Sequence, residues 1–226
     1  MIVYPRRPAW FRLFFTLHGG ILPRIWPQLA IASSVAVVVT AFYEVTHEGR
    51  FSMTATPFTL IAVALAIFLG FRNNASYDRH WEGRRLWGNL VDSSRSLARQ
   101  ALTLVDGPPG EEAAVALHRR RIVHGAIAFA HALRAHLRGQ DPSADLSRLL
   151  AADEWAAFVV QRNVPYAVLQ SLGEHLRTAR RRGWVHEFHV PTFERSLAEL
   201  TTVLGGCERI LNTPLPFAYT VLIHRI

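Results

Sequence analysis

The sequence contains no lysine and only one cysteine, and each shortage excludes a class of site. All 25 basic residues of the 226-residue chain are arginine. Without lysine there is no P-loop for nucleotide phosphates, and Gly205-Gly206 lacks the strand–turn–helix context as well. Because Cys207 is alone, an internal disulfide and a cysteine-based zinc site are both excluded. We expect this thiol to lie in a helix interface as a small apolar residue.

Charge is missing from two apolar stretches, although the chain as a whole carries a net charge of +8. Residues 25–43 form a helix of about 28 Å, which can cross the hydrocarbon core of a bilayer. Trp26 and Tyr43 stand near its ends, where aromatic anchors belong. Residues 58–71 would reach only about 21 Å. The second stretch therefore has two interpretations: a buried core helix of a soluble protein, or a membrane helix shielded by its neighbours.

The distribution of arginine favours the membrane interpretation. Basic flanks precede the first stretch and follow the second, whereas the connection between them, residues 44–56, is slightly acidic. The positive-inside rule then places both flanks in the cytoplasm. We predict a multi-pass protein of the inner (plasma) membrane with a cytoplasmic N-terminus, an interfacial segment over residues 1–24 and a transmembrane hairpin over residues 25–88. Arginine is dispersed among acidic and apolar residues, so no nucleic-acid partner is expected.

Strand-like alternation and internal repeats are absent from the remainder. Residues 89–213 form a predicted cytoplasmic helical region, and residues 214–226 read as the start of a further apolar helix that is cut short. The fold class is an all-α membrane protein with a transmembrane helical hairpin and a cytoplasmic helical bundle. The predicted helices beyond the hairpin cover residues 86–105, 111–137, 145–162, 165–182 and 191–211.

No residue pattern indicates catalysis, and we predict no catalytic residue, no metal and no cofactor. The chain has 11 histidines, and the four on the predicted helix 111–137 have no carboxylate three or four residues further on, which favours surface or interhelix hydrogen bonding. His186 and His189 could supply two metal ligands, but they fall in a predicted bend after Gly183. Ser93-Ser94 has no triad partners nearby in the sequence. A membrane enzyme that uses the histidines is the remaining rival to a protein that catalyses no reaction.

One string carries a resemblance to a known family. Phe68 to Gly88, FLGFRNNASYDRHWEGRRLWG, resembles the second transmembrane helix of bestrophin-type channels, close to the bacterial branch. Three further blocks agree in order, namely residues 57–67, 204–209 and 213–220. The resemblance covers nearly the whole chain from Trp10 onward.

The resemblance implies a homopentameric ion channel in a lipid bilayer, whose ions are chloride or other monovalent species. Val63, Ile67 and Phe71 match three apolar rings that form the pore neck. Their i, i+4, i+8 spacing puts them on one helix face, which the sequence alone explains equally by packing against the first helix. Phe188 matches a second, cytosolic constriction of the family, and Val190 is the alternative residue for this position. Anion conduction is the family default, yet apolar rings do not set the sign of the ion.

The chain departs from the family at its C-terminal side. In bestrophin-type channels the motif at residues 213–220 leads into a third and a fourth transmembrane helix, so we expect a truncated product or a degenerate member. The calcium-binding region of eukaryotic members is missing too, and no calcium site is expected. A non-conducting, membrane-anchored interaction or assembly protein is the alternative function.

Overall fold

The fold is seen in a computed structural model that describes residues 22–46 and 54–214. Within these ranges the chain forms α-helices, one 3₁₀ turn and no β-strand, as the fold-class prediction requires. The predictions for the N-terminal segment, for most of the acidic connection and for the last apolar stretch lie outside the described residues. The helices are α1 (Leu22–Thr46), α2 (Thr56–Leu104), α3 (Glu112–Arg138), α4 (Ser143–Leu149), α5 (Ala152–Val159), α6 (Val164–Arg181) and α7 (Val190–Asn212).

Helix α1 covers the first uncharged stretch. The chain divides into two compact units, Met1–Thr59 and Leu60–Ile226, and α1 belongs to the first. It is long and apolar enough to cross a membrane, and none of the residues in its apolar window is buried. A core helix of a soluble protein would bury one face, so the exposure of α1 favours a lipid environment. Its predicted pairing with α2 in a hairpin stays a prediction.

Helix α2 is one uninterrupted helix of 49 residues, about 74 Å long. Pro57 lies in its first turn, where a missing N–H breaks no helical hydrogen bond. No residue of its apolar window is buried in the described chain, so the soluble-core interpretation of this stretch is wrong. Its second half does bury a stripe, formed by Leu90, Ser93, Leu97, Gln100 and Ala101.

The core of the second unit lies between α3, α6 and α7. Phe129 and Leu133 of α3 are fully buried, as are Phe193 and Leu200 of α7. Helices α3 and α6 approach closely at Gly125, where an added Cβ would stand 2.7 Å from Leu172. Glycine is therefore needed at this crossing to bring the two helices together.

Helix α7 packs along the second half of α2. An added Cβ at Gly206 would lie 2.8 Å from a methyl of Leu86. Two polar bridges cross the same interface: Ser93 donates to Glu199 over 2.8 Å, and Gln100 donates to the Ser196 hydroxyl over 3.0 Å. Pairing satisfies the polar groups of Ser93, Gln100 and Ser196, which are buried, whereas Glu199 stays exposed.

The predicted helix over residues 145–162 is wrong, because two short helices, α4 and α5, replace it. Leu150 and Ala151 adopt extended backbone between them, with φ/ψ of −103°/155° and −67°/151°. Leu146 and Phe158 are both buried, but in a straight helix they would lie about 120° apart. The break lets both side chains enter the core, and Glu154 accepts the Ala151 N–H at the new N-terminus over 3.4 Å. The other helices of the bundle agree with prediction to within one or two residues.

Cys207 is buried on α7, as predicted. Burial raises the pKa of its thiol, and the nearby Glu208 carboxylate raises it further. A buried, protonated thiol behaves as a small apolar side chain.

Candidate ion pathway

Val63, Ile67 and Phe71 form a stripe on one face of α2. They span about 12 Å of the helix axis, because each residue adds about 1.5 Å. All three are about half exposed, at 54%, 52% and 54%. The stripe is thus an apolar surface that the described residues leave about half uncovered.

The stripe lies beside the face by which α2 holds the bundle. At about 100° per residue, the buried positions of α2 point about 60–160° around the helix from Ile67, with Gln100 at the near edge and Ala101 at the far edge. Phe71 points about 40° toward this face and Val63 about 40° away from it. Among the described residues, the packing of α2 against α7 still leaves all three side chains of the stripe about half exposed.

Polar contacts fix α2 just beyond its apolar half. Arg79 donates to the backbone oxygen of Ile210 over 2.7 Å and also to that of Thr213. These carbonyls end α7 and lack helical partners, so the guanidinium caps them. Glu82 forms an ion pair with Arg209 in the same region. Three of the four blocks that carry the family resemblance thus meet in space. The sequence analysis missed this anchor, since partners more than 120 residues apart leave no local pattern.

The bend after α6 is held by a buried tryptophan. Gly183 has a φ of 74°, in the left-handed region that glycine adopts readily. Trp184 follows and is 4% exposed; its indole N–H donates to Glu111 over 2.7 Å, and its carbonyl accepts the Asp106 N–H over 2.8 Å. Arg182 lies over the indole ring, 4.8 Å from its centre. The start of the bend is therefore rigidly attached to the segment between α2 and α3.

Phe188 projects from the far side of this bend, in the 3₁₀ turn Glu187–His189. Its side chain is 85% exposed, and its ring stacks on that of His186 with centres 5.2 Å apart. The Phe188 N–H donates to His186 Nδ1 over 3.3 Å. Val190 instead begins α7 and packs against the core. Of the two residues considered for the cytosolic constriction, only Phe188 offers an uncovered apolar side chain.

The histidines connect elements of the bundle, which is the role the sequence predicted. His118 Nε2 lies 3.0 Å from the backbone oxygen of His175, and His175 Nε2 lies 3.0 Å from Glu154. Burial lowers the pKa of both histidines. Further contacts join His124 to the Leu149 oxygen and His136 to Glu208. No group of three or more potential metal ligands occurs among residues 22–46 and 54–214.

Together these features define a helical membrane protein. Two helices are long and apolar enough to cross a bilayer with none of their window residues buried, and α2 continues from its apolar half into a packed bundle. The profile of the bacterial/fungal bestrophin family matches residues 1–226. The chain therefore belongs to the bestrophin family, as its sequence motifs predicted.

Known relatives agree in sequence and in fold. A voltage-dependent anion channel-forming protein of Ralstonia nicotianae is 44% identical over all of this chain and 72% of its own length. The protein YneE of Escherichia coli, described in the same words, is 38% identical over all of this chain and 71% of its own. A crystal structure of a bestrophin homologue from Klebsiella pneumoniae is 36% identical, with a TM-score of 0.75 over 91% of this chain and 72% of that one.

Proposed function

We propose that this chain is a subunit of a bestrophin-type anion channel in the bacterial inner membrane, and that it catalyses no reaction. The observation that carries the proposal is the uncovered apolar stripe of Val63, Ile67 and Phe71 on a helix that runs without interruption from apolar to polar sequence. A homopentamer around a central axis would place five copies of each side chain in three stacked rings. The relatives described as anion channel-forming proteins support the sign of the ion.

The neck would act as a gate through dewetting. An apolar ring gives water no hydrogen-bond partner, so a narrow pore lined by such rings dries and an ion meets a barrier. Three rings over about 12 Å would make a continuous apolar section. Because such rings replace none of the ion's hydration, the neck regulates flow and discriminates weakly between ions.

Phe188 is proposed as the second constriction, on the cytosolic side. Its ring is exposed. The turn that carries it is contacted at its N-terminal end, where Arg180 pairs with Glu187 over 3.2 Å and the His186 side chain caps the turn. A turn that presents an exposed aromatic ring is suited to line a narrow opening.

Replacement of Phe71 by alanine, alone and with Ile67→Ala, tests the neck. We expect the purified chain, reconstituted in liposomes or planar bilayers, to conduct anions, and both variants to conduct more because the section widens and wets. The ion preference should change little. Leu69→Ala is the matched control: Leu69 is exposed on the opposite face of α2, and its loss should leave conductance as it was.

The stability of the variants distinguishes a pore-neck role of Val63, Ile67 and Phe71 from a packing role. Removal of a buried packing side chain would cost about 2–5 kcal/mol of unfolding free energy. If Phe71→Ala lowers the melting temperature strongly and leaves conductance unchanged, the stripe is a packing surface and the neck assignment is wrong. A silent wild-type protein would favour the non-conducting assembly role instead.

The oligomeric state is measured on the same preparation. Native mass spectrometry or light scattering in detergent should give a mass of five chains. A stable monomer or dimer in several mild detergents would contradict the proposed pore, since two or fewer copies of α2 cannot enclose a central path.

A further inference from the structure

The stripe of the neck continues down α2 as a series of charges. Asp78, Arg85, Asp92 and Arg99 follow Phe71 at intervals of seven residues, and their signs alternate. A seven-residue step turns an α-helix by only about −20°. Relative to Ile67, the five positions from Phe71 to Arg99 run from about +40° to −40°. They therefore occupy the same arc as Val63 and Ile67.

All four charged side chains are exposed and lack a partner in the described chain. No hydrogen bond or ion pair involves the side chain of Asp78, Arg85, Asp92 or Arg99 within residues 22–46 and 54–214. Two other charges of α2 are engaged with α7: Arg79 caps its C-terminus and Glu82 pairs with Arg209. The four charges in line with the neck thus differ from Arg79 and Glu82, which hold α2 to the bundle, because they have no partner among the described residues.

The spacing prevents these charges from neutralising one another along the helix. Opposite charges pair at intervals of three or four residues, where their side chains touch. At seven residues the backbone positions are about 10.5 Å apart, which exceeds the Debye length of about 8 Å at physiological salt. The four charges are therefore largely screened from one another, while Glu82 lies four residues from Asp78 and three from Arg85 on the same helix.

We propose that Asp78 and Arg85 set the charge preference of the channel, through two rings of opposite sign below the neck. This inference rests on the proposed function, because only an assembly around the stripe turns single charges into rings. An ion that leaves the ring of Phe71 meets the ring of Asp78 first, about 10.5 Å further along the axis. Carboxylates gathered around a path deplete anions and concentrate cations there, and the ring of Arg85 does the reverse. Asp78 thus lowers the preference for anions, and Arg85 restores it.

Reversal potentials in a sodium chloride gradient test the two rings. We expect Asp78→Asn to raise the chloride-to-sodium permeability ratio at least about twofold and Arg85→Gln to lower it by a similar factor. Asp153→Asn, which removes an exposed carboxylate from α5, is the matched control and should leave the ratio unchanged. High salt should reduce all shifts, since the charges are exposed.

A second measurement tests whether Asp78 faces the ion path, and it does not depend on the permeability ratio. In a Cys207→Ser background, Asp78→Cys should react with a charged methanethiosulfonate reagent, and the current should change in opposite directions for the cationic and anionic reagents. His80→Cys, about 140° from the Ile67 direction, should change the current in neither case. The inference is overturned if a conducting wild type keeps its permeability ratio in both Asp78→Asn and Arg85→Gln. A wild type that passes no current at all overturns the proposed function, and this inference falls with it.

Discussion

At the scale of single residues, the pair His118 and His175 makes the bundle sensitive to acid. His118 is 6% exposed, and its ring packs edge-on against those of His175 and Trp184. Desolvation by burial is the main cause that lowers the pKa of each ring, and a charge on His175 lowers the pKa of His118 further. Glu154 favours a charged His175, but burial outweighs it. The folded bundle thus prefers both rings neutral.

We predict that the bundle loses stability as the pH falls below about 6.5. The unfolded chain takes up protons on both histidines near that value, whereas the folded chain resists until a lower pH, so acid favours unfolding. Above pH 6.5 both states are neutral and the stabilisation is fully present. Melting temperatures measured in detergent between pH 7.5 and 5.5 show how the stability of the bundle changes with pH.

The variant His118→Gln isolates one member of the pair. Its amide can donate to the His175 oxygen as the ring N–H does, but it does not titrate. We expect a melting temperature near that of the wild type at pH 7.5 and a smaller loss at pH 5.5. Equal losses in both proteins would contradict the assignment of the acid sensitivity to His118.

At the scale of elements, the crossing of α2 and α7 joins the apolar half of the molecule to its bundle. Two adjacent glycines of α7 differ there: a Cβ at Gly206 would clash with Leu86, whereas a Cβ at Gly205 would meet nothing within 4 Å. Among the described residues, packing thus requires only one of the two glycines, Gly206. The crossing lies next to the Arg79 and Glu82 contacts, so a shift there would tilt α2 where it enters the bundle.

The glycine pair provides a matched test. We predict that Gly206→Ala destabilises the protein by about 1–3 kcal/mol through overpacking. Gly205→Ala should stabilise it by about 0.5–1 kcal/mol, because alanine is the better helix former. Chemical denaturation in detergent gives both values. Truncation of the clashing side chain in Gly206→Ala/Leu86→Ala should recover part of the loss; no recovery would show that Leu86 is not the obstacle.

At the scale of the whole molecule, the distribution of arginine predicts that both ends of the transmembrane region face the cytoplasm. Cysteine labelling of cells with a membrane-impermeant reagent tests this in a Cys207→Ser background. We expect Ser52→Cys, in the connection between the two apolar helices, to be labelled from outside. Ser96→Cys, in the second half of α2, should be labelled only after the cells are permeabilised.

The same labelling has a clear negative outcome. If both cysteines react from the same side, residues 25–88 do not form a hairpin and the positive-inside assignment is wrong. Labelling of neither before permeabilisation would place the connection in the cytoplasm as well. In either case α2 could not carry ions from one side of the membrane to the other.

Local patterns in the sequence determined the helical class, the uncharged stretches and the face shared by Val63, Ile67 and Phe71. These features depend on periodicity and on the absence of charge, and both can be read within a few turns of helix. The family followed from strings of unusual residues, above all the one from Phe68 to Gly88. The seven-residue spacing of Asp78, Arg85, Asp92 and Arg99 is also a local pattern of the sequence. Its functional interpretation, however, depends on which side of α2 packs against the bundle.

Only the tertiary structure decided which residues hold α2 in place and where the predicted helix 145–162 is interrupted. The Arg79 cap on α7 joins residues far apart in sequence, and no local propensity encodes such a partner. The predicted helix 145–162 failed for a related reason: Leu146 and Phe158 both enter the core, and a straight helix could not bury both. Burial of side chains on several elements at once outweighs the helix propensity of a single segment, which is why packing settled these points.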